Sequence, residues 1–126
     1  MKKKAILFAL FIILLVTAVS IFPFVSPRRT IIRNLSGTKL SNVQLVVEEY
    51  SGSKSLERTE PILSPGEWLV LQHDLSDSRV RLSYTLGQAS ENHVENYVDL
   101  WSGETLFIDV LPGGRVTSGY ESETNN

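Results

Sequence analysis

The feature that most constrains this chain is an uncharged run of 21 residues, Ala5 to Val25, which directly follows the three lysines Lys2 to Lys4. As a helix this run would be about 31 Å long, close to the thickness of the hydrocarbon core of a bilayer. The lysines would stay on the cytoplasmic side, because positively charged flanks are retained there. The pattern therefore predicts a cytoplasmic end at residues 1–4, a transmembrane anchor at residues 5–25, and export of the remainder.

A cleaved secretory signal is the alternative interpretation of the same run. Ala5 to Val16 would be its apolar core, and Ala18-Val19-Ser20 is similar to a small-x-small cleavage site. The retained anchor is favoured because apolar residues continue from Ile21 to Val25, which is further than a signal core requires. The predicted location is the inner membrane with a periplasmic C-terminal domain, and the alternative is secretion after cleavage near Ser20.

The exported part is long enough for one domain with its own hydrophobic core. We expect a juxtamembrane linker at residues 26–33, a folded domain at residues 34–120 and a disordered tail at residues 121–126. The chain contains no cysteine, so neither a disulfide nor a lipid-attachment cysteine can hold the exported domain. Its stability must therefore come from the burial of apolar side chains.

The exported part is acidic. All 14 acidic residues follow residue 27, but only nine of the 12 basic residues do, so the net charge is 9 − 14 = −5. This distribution argues against a nucleic-acid partner, because phosphate binding needs clustered Lys and Arg. The only basic cluster, Arg28, Arg29 and Arg33, is predicted to rest against lipid headgroups, and docking of an acidic partner is the alternative.

Turn-forming residues recur along the exported part at intervals that fit single strands. Between these turns apolar residues alternate with polar ones, as they do in Val43–Val47, Val80–Leu86 and Leu106–Val110. A period of two is typical of strands that bury one face. Seven or eight such strands predict an antiparallel β-sandwich, immunoglobulin-like in the broad sense, with a partly open barrel as the alternative.

One predicted strand pair carries the candidate site. If Ser102-Gly103-Glu104 is a three-residue loop with Gly103 in the left-handed region, the flanking strands form a hairpin with Trp101 opposite Thr105. One face of this hairpin would be an aliphatic core face. The other face would hold the candidate partner-binding residues, which are Tyr97, Asp99, Trp101, Phe107 and Leu111. Rings beside acidic groups suit a protein or a sugar partner, and the alternative is that a loop or the tail covers these rings.

The stretch Asn34-Leu35-Ser36-Gly37-Thr38-Lys39-Leu40-Ser41-Asn42-Val43 is followed by alternating apolar residues and then by Leu63-Ser64-Pro65-Gly66-Glu67. This arrangement resembles the FxLYD-like group of small bacterial extracytoplasmic β-sandwich domains, over residues 34 to about 75. Where that group has its name-giving residues, this chain has Val46-Val47-Glu48-Glu49-Tyr50-Ser51. The resemblance implies a membrane-tethered accessory or interaction domain, and it implies no catalytic residues.

Signals for catalysis or metal binding are weak. His73 precedes Asp74 and His93 lies two residues before Glu95, but neighbouring strand residues point to opposite faces, so we interpret both histidines as solvated surface residues. No Gly-x-Ser-x-Gly motif occurs. We therefore predict no catalytic residue, metal or cofactor, and a non-enzymatic accessory protein of a membrane assembly with a protein partner. The alternatives are a periplasmic immunity or inhibitor protein and a small hydrolase.

Overall fold

The computed structural model describes residues 27–122, which form eight β-strands and one 3₁₀ turn, Pro112–Gly114. The strands are β1 (Arg28–Asn34), β2 (Leu40–Glu49), β3 (Ser55–Leu63), β4 (Trp68–His73), β5 (Asp77–Leu86), β6 (Ala89–Asp99), β7 (Glu104–Val110) and β8 (Val116–Ser122). Sheet A has the strand order β4-β1-β7-β8, and sheet B has the order β3-β2-β5-β6. The predicted β-sandwich is confirmed, but the prediction that it is antiparallel throughout is wrong for one strand pair of sheet A.

Pairing is antiparallel throughout sheet B and, in sheet A, for β1 with β4 and for β7 with β8. The central pair of sheet A, β1 and β7, is parallel. A parallel pair requires a long connection, and here the five strands between β1 and β7 in the chain are the four strands of sheet B and the outer strand β4. The first described strand therefore lies in the middle of a sheet.

The core lies between the two sheets and consists of the alternating apolar side chains. Burial alternates along β2, β5 and β7 as the sequence pattern predicts, because adjacent strand residues point to opposite faces. Both sheets contribute fully buried side chains, among them Ile32, Leu45, Val47, Val80, Leu82, Val98, Leu106 and Ile108.

The predicted linker at residues 26–33 is wrong for most of its length, because Arg28–Asn34 is strand β1. β1 pairs with β4 on one side and with β7 on the other, and the side chain of Ile32 is completely buried. Its sequence, with two arginines at the start and one near the end, is too short and too charged to show clear alternation. The predicted tail also begins too early, since Glu121 and Ser122 pair with β7.

The predicted anchor at residues 5–25 lies outside the described residues. Within residues 27–122, no helix is both long enough and apolar enough to cross a membrane. Most of the predicted tail, residues 123–126, is likewise outside the described part of the chain.

The two ends of the sandwich differ in which loops they carry. β1 begins beside the end of β4, at the end that also carries residues 50–54, 74–76 and 100–103; we call this the N-terminal end. The opposite end, which we call the distal end, carries residues 35–39, 64–67, 87–88 and 111–115. This division determines which surface groups lie close to the segment that precedes the domain.

Candidate interaction surfaces

The predicted hairpin around Gly103 does not form. β6 pairs with β5 in sheet B, and β7 pairs with β1 and β8 in sheet A, so the loop at residues 100–103 crosses from one sheet to the other. Gly103 does have the predicted left-handed conformation, with φ of 81°. Alternation alone could not separate the two arrangements, because inward-facing side chains of two strands can meet side by side in one sheet or across the core.

This crossing distributes the predicted partner-binding residues over several surfaces. Tyr97 and Asp99 end β6 in sheet B, and Trp101 lies in the crossing loop. Phe107 is on the outer face of sheet A, and Leu111 follows β7 at the distal end. The prediction that these residues share one face is therefore wrong, whereas a binding role for each of them stays a prediction.

Phe107 belongs instead to an aromatic and cationic group on the outer face of sheet A. Arg33 pairs with Trp68 of β4 on one side and with Asp109 of β7 on the other, so these three side chains form a row across the sheet. The rings of Trp68 and Phe107 meet edge to face, with centroids 5.9 Å apart and planes at 80°. The guanidinium carbon of Arg33 lies 4.2 Å from the Phe107 centroid and 5.5 Å from that of Trp68. We call Arg33, Trp68, Phe107 and Asp109 the Trp68 cluster.

A bidentate ion pair holds this cluster in one arrangement. Arg33 Nε donates to Asp109 Oδ1 at 2.6 Å, and Arg33 Nη2 donates to Oδ2 at 2.7 Å. The hydrogen bond to Asp109 raises the pKa of Arg33 above its ordinary value, although partial burial acts in the opposite direction. A fixed guanidinium restricts the rings that it contacts, and yet the Trp68 side chain remains 52% exposed. The cluster is thus an ordered surface that still offers a large ring to solvent.

Beside Phe107 there is a notch in the surface. Gly119 of β8 lies opposite Phe107, and a Cβ placed on it would meet no atom within 4 Å. The cleft at this place has a volume of about 260 Å³, and its lining includes Arg33, Asp109 and Glu121. A partner could insert a side chain against the Phe107 ring there, with acidic groups at the rim.

A second aromatic pair lies at the N-terminal end. The rings of Tyr50 and Tyr97 meet edge to face at 5.2 Å, and the Tyr97 hydroxyl donates to Asp77 Oδ1 at 3.1 Å. That hydrogen bond raises the pKa of Tyr97. Next to this pair is a cleft of about 460 Å³ lined by Glu49, Asp74, Asp77 and Lys54, among others. Tyr50 and Leu75 also line the cleft, and its one basic group, Lys54, donates to Asp74 Oδ1 at 2.9 Å.

The two histidines lie in different sheets and have different environments. His73 is buried, so its interpretation as a solvated residue is wrong. Its Nδ1 accepts a hydrogen bond from Leu75 N at 3.2 Å, which leaves the proton of the neutral ring on Nε2, 3.1 Å from Thr30 Oγ1. Burial and the charge of Arg28 lower the pKa of His73. This imidazole is a neutral structural group in the core.

His93 takes part in a small network at the open edge between β6 and β8. Its Nε2 lies 2.8 Å from Glu95 Oε1. Burial raises the pKa of Glu95, but hydrogen bonds from Ser118 and His93 outweigh it and leave the pKa below its ordinary value. The Ser118 hydroxyl is bonded to the carboxylate, whereas activation of a serine nucleophile needs a bond to the imidazole. Within the described residues, no group of three or more His, Cys, Asp and Glu side chains could hold a metal ion.

Sequence reasoning missed two members of the Trp68 cluster. Trp68 opens a strand in which every second residue faces outward, but the sequence places no partner for it nearby. Arg33 was assigned to lipid headgroups because β1 was not recognised as a strand. Recognition of β1 beside β7 would have brought Arg33 and Asp109 together as an opposite-charge pair on one face.

Comparisons with known proteins identify no family. No protein-family model matches the chain, and no curated protein matches it. An NMR structure of a protein from Eubacterium rectale has a TM-score of 0.48 at 14% identity and covers 80% of this chain and 94% of its own. A crystal structure from Bacteroides ovatus, of a protein with a suggested role in cell adhesion, has a TM-score of 0.46 at 11% identity. It covers 77% of this chain, and this chain spans 43% of that protein.

Proposed function

We propose that this chain is a non-enzymatic, protein-binding accessory subunit of a bacterial envelope assembly. In this proposal residues 5–25 anchor it in the inner membrane and the sandwich lies in the periplasm. The FxLYD-like resemblance and the classification as immunoglobulin-like in the broad sense belong to the same proposal. The partner is a second protein of that assembly.

The observation that supports this proposal most directly is the Trp68 cluster. Tryptophan, arginine and other aromatic residues are enriched among the residues that dominate protein interfaces. Here they are held in one geometry by the Arg33–Asp109 ion pair, so little side-chain freedom would be lost on binding. The cluster therefore combines an ordered tryptophan ring that is half exposed with a phenylalanine ring beside a notch, and these are properties of an interface anchor.

The notch indicates the chemistry of the partner. Its floor is the Phe107 ring next to Gly119, which favours an apolar side chain, and Asp109 and Glu121 are at its rim. The partner segment is therefore apolar at its centre and carries basic or hydrogen-bond-donating groups around it. A basic periphery also complements the acidic charge of the exported domain.

Photo-crosslinking from the notch tests the proposal. A photoreactive phenylalanine analogue replaces Thr117 in the full chain, an exposed residue that lines the cleft without lying opposite Phe107, and the same analogue replaces Val94 on the outer face of sheet B as a matched control. In intact cells we expect one discrete crosslinked protein from position 117 and none from position 94. Trp68→Ala in the position-117 background should reduce this crosslink roughly tenfold or more, as expected for an interface anchor.

Two outcomes would contradict the proposal. Equal crosslinking from positions 94 and 117 would show non-specific proximity, and an undiminished crosslink after Trp68→Ala would show that the cluster is not the anchor. The identity of the captured protein separates the functional alternatives: a toxin or an exported enzyme would favour an inhibitor, and a membrane-complex subunit would favour the accessory role.

A further inference from the structure

Exposed aromatic residues are concentrated at the N-terminal end of the sandwich. Tyr50, Tyr97 and Trp101 are 58%, 54% and 75% exposed, and all three lie in or next to the loops at this end. Tryptophan and tyrosine are the residues enriched where proteins meet the headgroup layer of a membrane, because their rings are apolar and their edges are polar. The role of these rings therefore depends on how close the membrane anchor is to this end of the sandwich.

The chain enters the sandwich at this same end. β1 begins at Arg28, and Arg28 itself contacts two of the loops: its Nε donates to Leu100 O at 2.7 Å and its Nη1 donates to Asp74 O at 3.3 Å. The uncharged run ends at Val25, so only Ser26 and Pro27 separate it from β1. Two residues and their flanking bonds span at most about 10 Å.

From these observations we propose that the N-terminal end of the sandwich rests in the headgroup layer of the membrane, with Trp101 and Tyr50 in contact with lipid. This inference requires the membrane anchor at residues 5–25 that is part of the proposed function. The headgroup layer is roughly 5–8 Å thick on each side of the bilayer, so a tether of at most about 10 Å keeps the loops in this layer or within a few ångströms of it. The aromatic side chains at this end therefore contact the lipid surface.

Three of the acidic groups at this end have partners within the domain, and the Arg28 guanidinium donates to two loop carbonyls. Asp74 is paired with Lys54, Asp77 accepts the Tyr97 hydroxyl, and Glu104 Oε1 accepts the Trp101 backbone N–H at 2.7 Å. The contact is therefore made by rings and not by excess positive charge. It should depend little on salt and should form on zwitterionic lipid, in contrast with attachment through a basic patch.

The same geometry keeps the Trp68 cluster away from the membrane. Arg33 lies five residues beyond Arg28 along β1, so the cluster is roughly 15–20 Å further from the bilayer than the N-terminal end. This separation leaves the proposed protein-binding face accessible from the side of the domain. It also supplies an internal control, because Trp68 and Trp101 are the two tryptophans of the chain.

Quenching by brominated lipid tests the proposal with the full-length chain. The chain is reconstituted into phosphatidylcholine vesicles with and without lipid brominated near the headgroup end of its acyl chains, and Trp68→Phe and Trp101→Phe give two single-tryptophan variants. We expect the fluorescence of Trp101, seen in the Trp68→Phe variant, to be blue-shifted and quenched about twofold or more, as for interfacial tryptophan. The fluorescence of Trp68, seen in the Trp101→Phe variant, should be unquenched, and high salt should change neither result.

The possible failures are distinguishable. If the protein resists alkaline carbonate extraction but Trp101 is not quenched, the anchor stands and the contact is wrong. If Trp68 is quenched as strongly as Trp101, the domain lies on its side and the proposal is also wrong. If carbonate extracts the protein, the anchor of the proposed function fails and this inference fails with it.

Discussion

Ser78 illustrates how a single buried polar atom can lower stability. Its side chain is fully buried on β5, and its Oγ is the one buried side-chain oxygen or nitrogen within residues 27–122 that has no hydrogen-bond partner. Burial of a hydroxyl without a partner costs free energy that is not recovered. The sequence could not show this, because an inward-facing serine next to a turn looks like an ordinary turn residue.

We predict that Ser78→Ala raises the free energy of unfolding by roughly 1 kcal/mol, since it removes the unpaired hydroxyl and leaves almost no cavity. Urea unfolding of residues 27–122 measures the change. Ser83→Ala, on the outer face of the same strand, is the control and should change stability by less than about 0.5 kcal/mol. A loss of stability in Ser78→Ala would show that Ser78 Oγ has a partner.

His73 predicts a pH dependence of stability. Its pKa in the folded state is lowered by burial and by Arg28, with Asp74 acting weakly in the other direction, so the unfolded chain binds a proton at a pH where the folded domain does not. The stability is therefore fully present above the unfolded value of about 6.5 and is lost as the pH falls below it. We expect the melting temperature of residues 27–122 to decrease from pH 7.5 to pH 5.5.

His73→Gln is the matched variant, because it can keep hydrogen bonds but cannot titrate. It should flatten the pH dependence between pH 7.5 and 5.5. A second decrease should follow below about pH 4.5 in this variant, because burial raises the pKa of Glu95 but hydrogen bonds from Ser118 and His93 outweigh it and leave the folded pKa lowered. Parallel melting curves for wild type and His73→Gln above pH 5.5 would contradict this assignment.

At the scale of elements, Asn34 joins the two segments in which the family resemblance was found. Its Nδ2 donates to Thr38 O and to Leu63 O, both at 2.8 Å, and its Oδ1 accepts from Ser36 N at 3.1 Å and from Ser36 Oγ at 2.6 Å. Its backbone bonds to Gly66 and Glu67 of the next turn. The Asn-x-Ser-Gly segment and the Pro-Gly-Glu turn are thus one hydrogen-bonded corner at the distal end.

We predict that Asn34→Ala destabilises residues 27–122 by roughly 3 kcal/mol, because it removes the buried donor to Leu63 O and the buried acceptor of Ser36 N. Asn34→Asp should be at least as harmful, since it keeps the acceptor but places a charge against the same carbonyls. Asn92→Ala, an exposed asparagine of β6, is the control and should change stability little. Chemical unfolding measures all three, and a small effect of Asn34→Ala would mean that the turns form without this corner.

Trp101 in the loop between β6 and β7 and Ile108 in β7 are close in sequence, but one is on the surface and the other is in the core. Ile108 is fully buried and Trp101 is 75% exposed, although both were predicted from one hairpin. Ile108→Ala should cost roughly 2–5 kcal/mol through lost burial and the cavity that remains. Trp101→Ala should cost less than about 0.5 kcal/mol in the lipid-free domain. Urea unfolding of the two variants of residues 27–122 compares them, and equal costs would place the Trp101 ring in the core.

At the scale of the whole molecule, the domain depends on its first strand. β1 is the only strand that connects β4 to β7 in sheet A, so its removal would divide that sheet and expose the side of the core covered by Ile32. We predict that residues 27–122 unfold cooperatively and that residues 34–122, which begin where the sequence placed the domain boundary, do not fold. Thermal melting followed by circular dichroism distinguishes them. A cooperative melt of the shorter chain would show that β1 is dispensable.

The sequence by itself predicted the β-sandwich class, seven or eight strands, and the inward-facing residues of β2, β5 and β7. These properties follow from local chemistry: a period of two places one set of side chains on one face, and Gly, Asn and Pro end each strand. The left-handed Gly103 and the turns at Asn34 and Gly66 follow from the same local rules.

Only the tertiary structure decided which strands are neighbours. β1 enters the centre of sheet A by pairing in parallel with a strand more than 70 residues away, and the chain changes sheets at residues 100–103. Side-chain alternation is the same for a strand in either sheet, so no local pattern encodes this choice. The pairing of the strands separates Tyr97 from Phe107 and brings Arg33, Trp68, Phe107 and Asp109 together from three strands. The reason is that strand pairing determines which outward-facing side chains are neighbours, whereas packing in the core constrains only the inward-facing side chains.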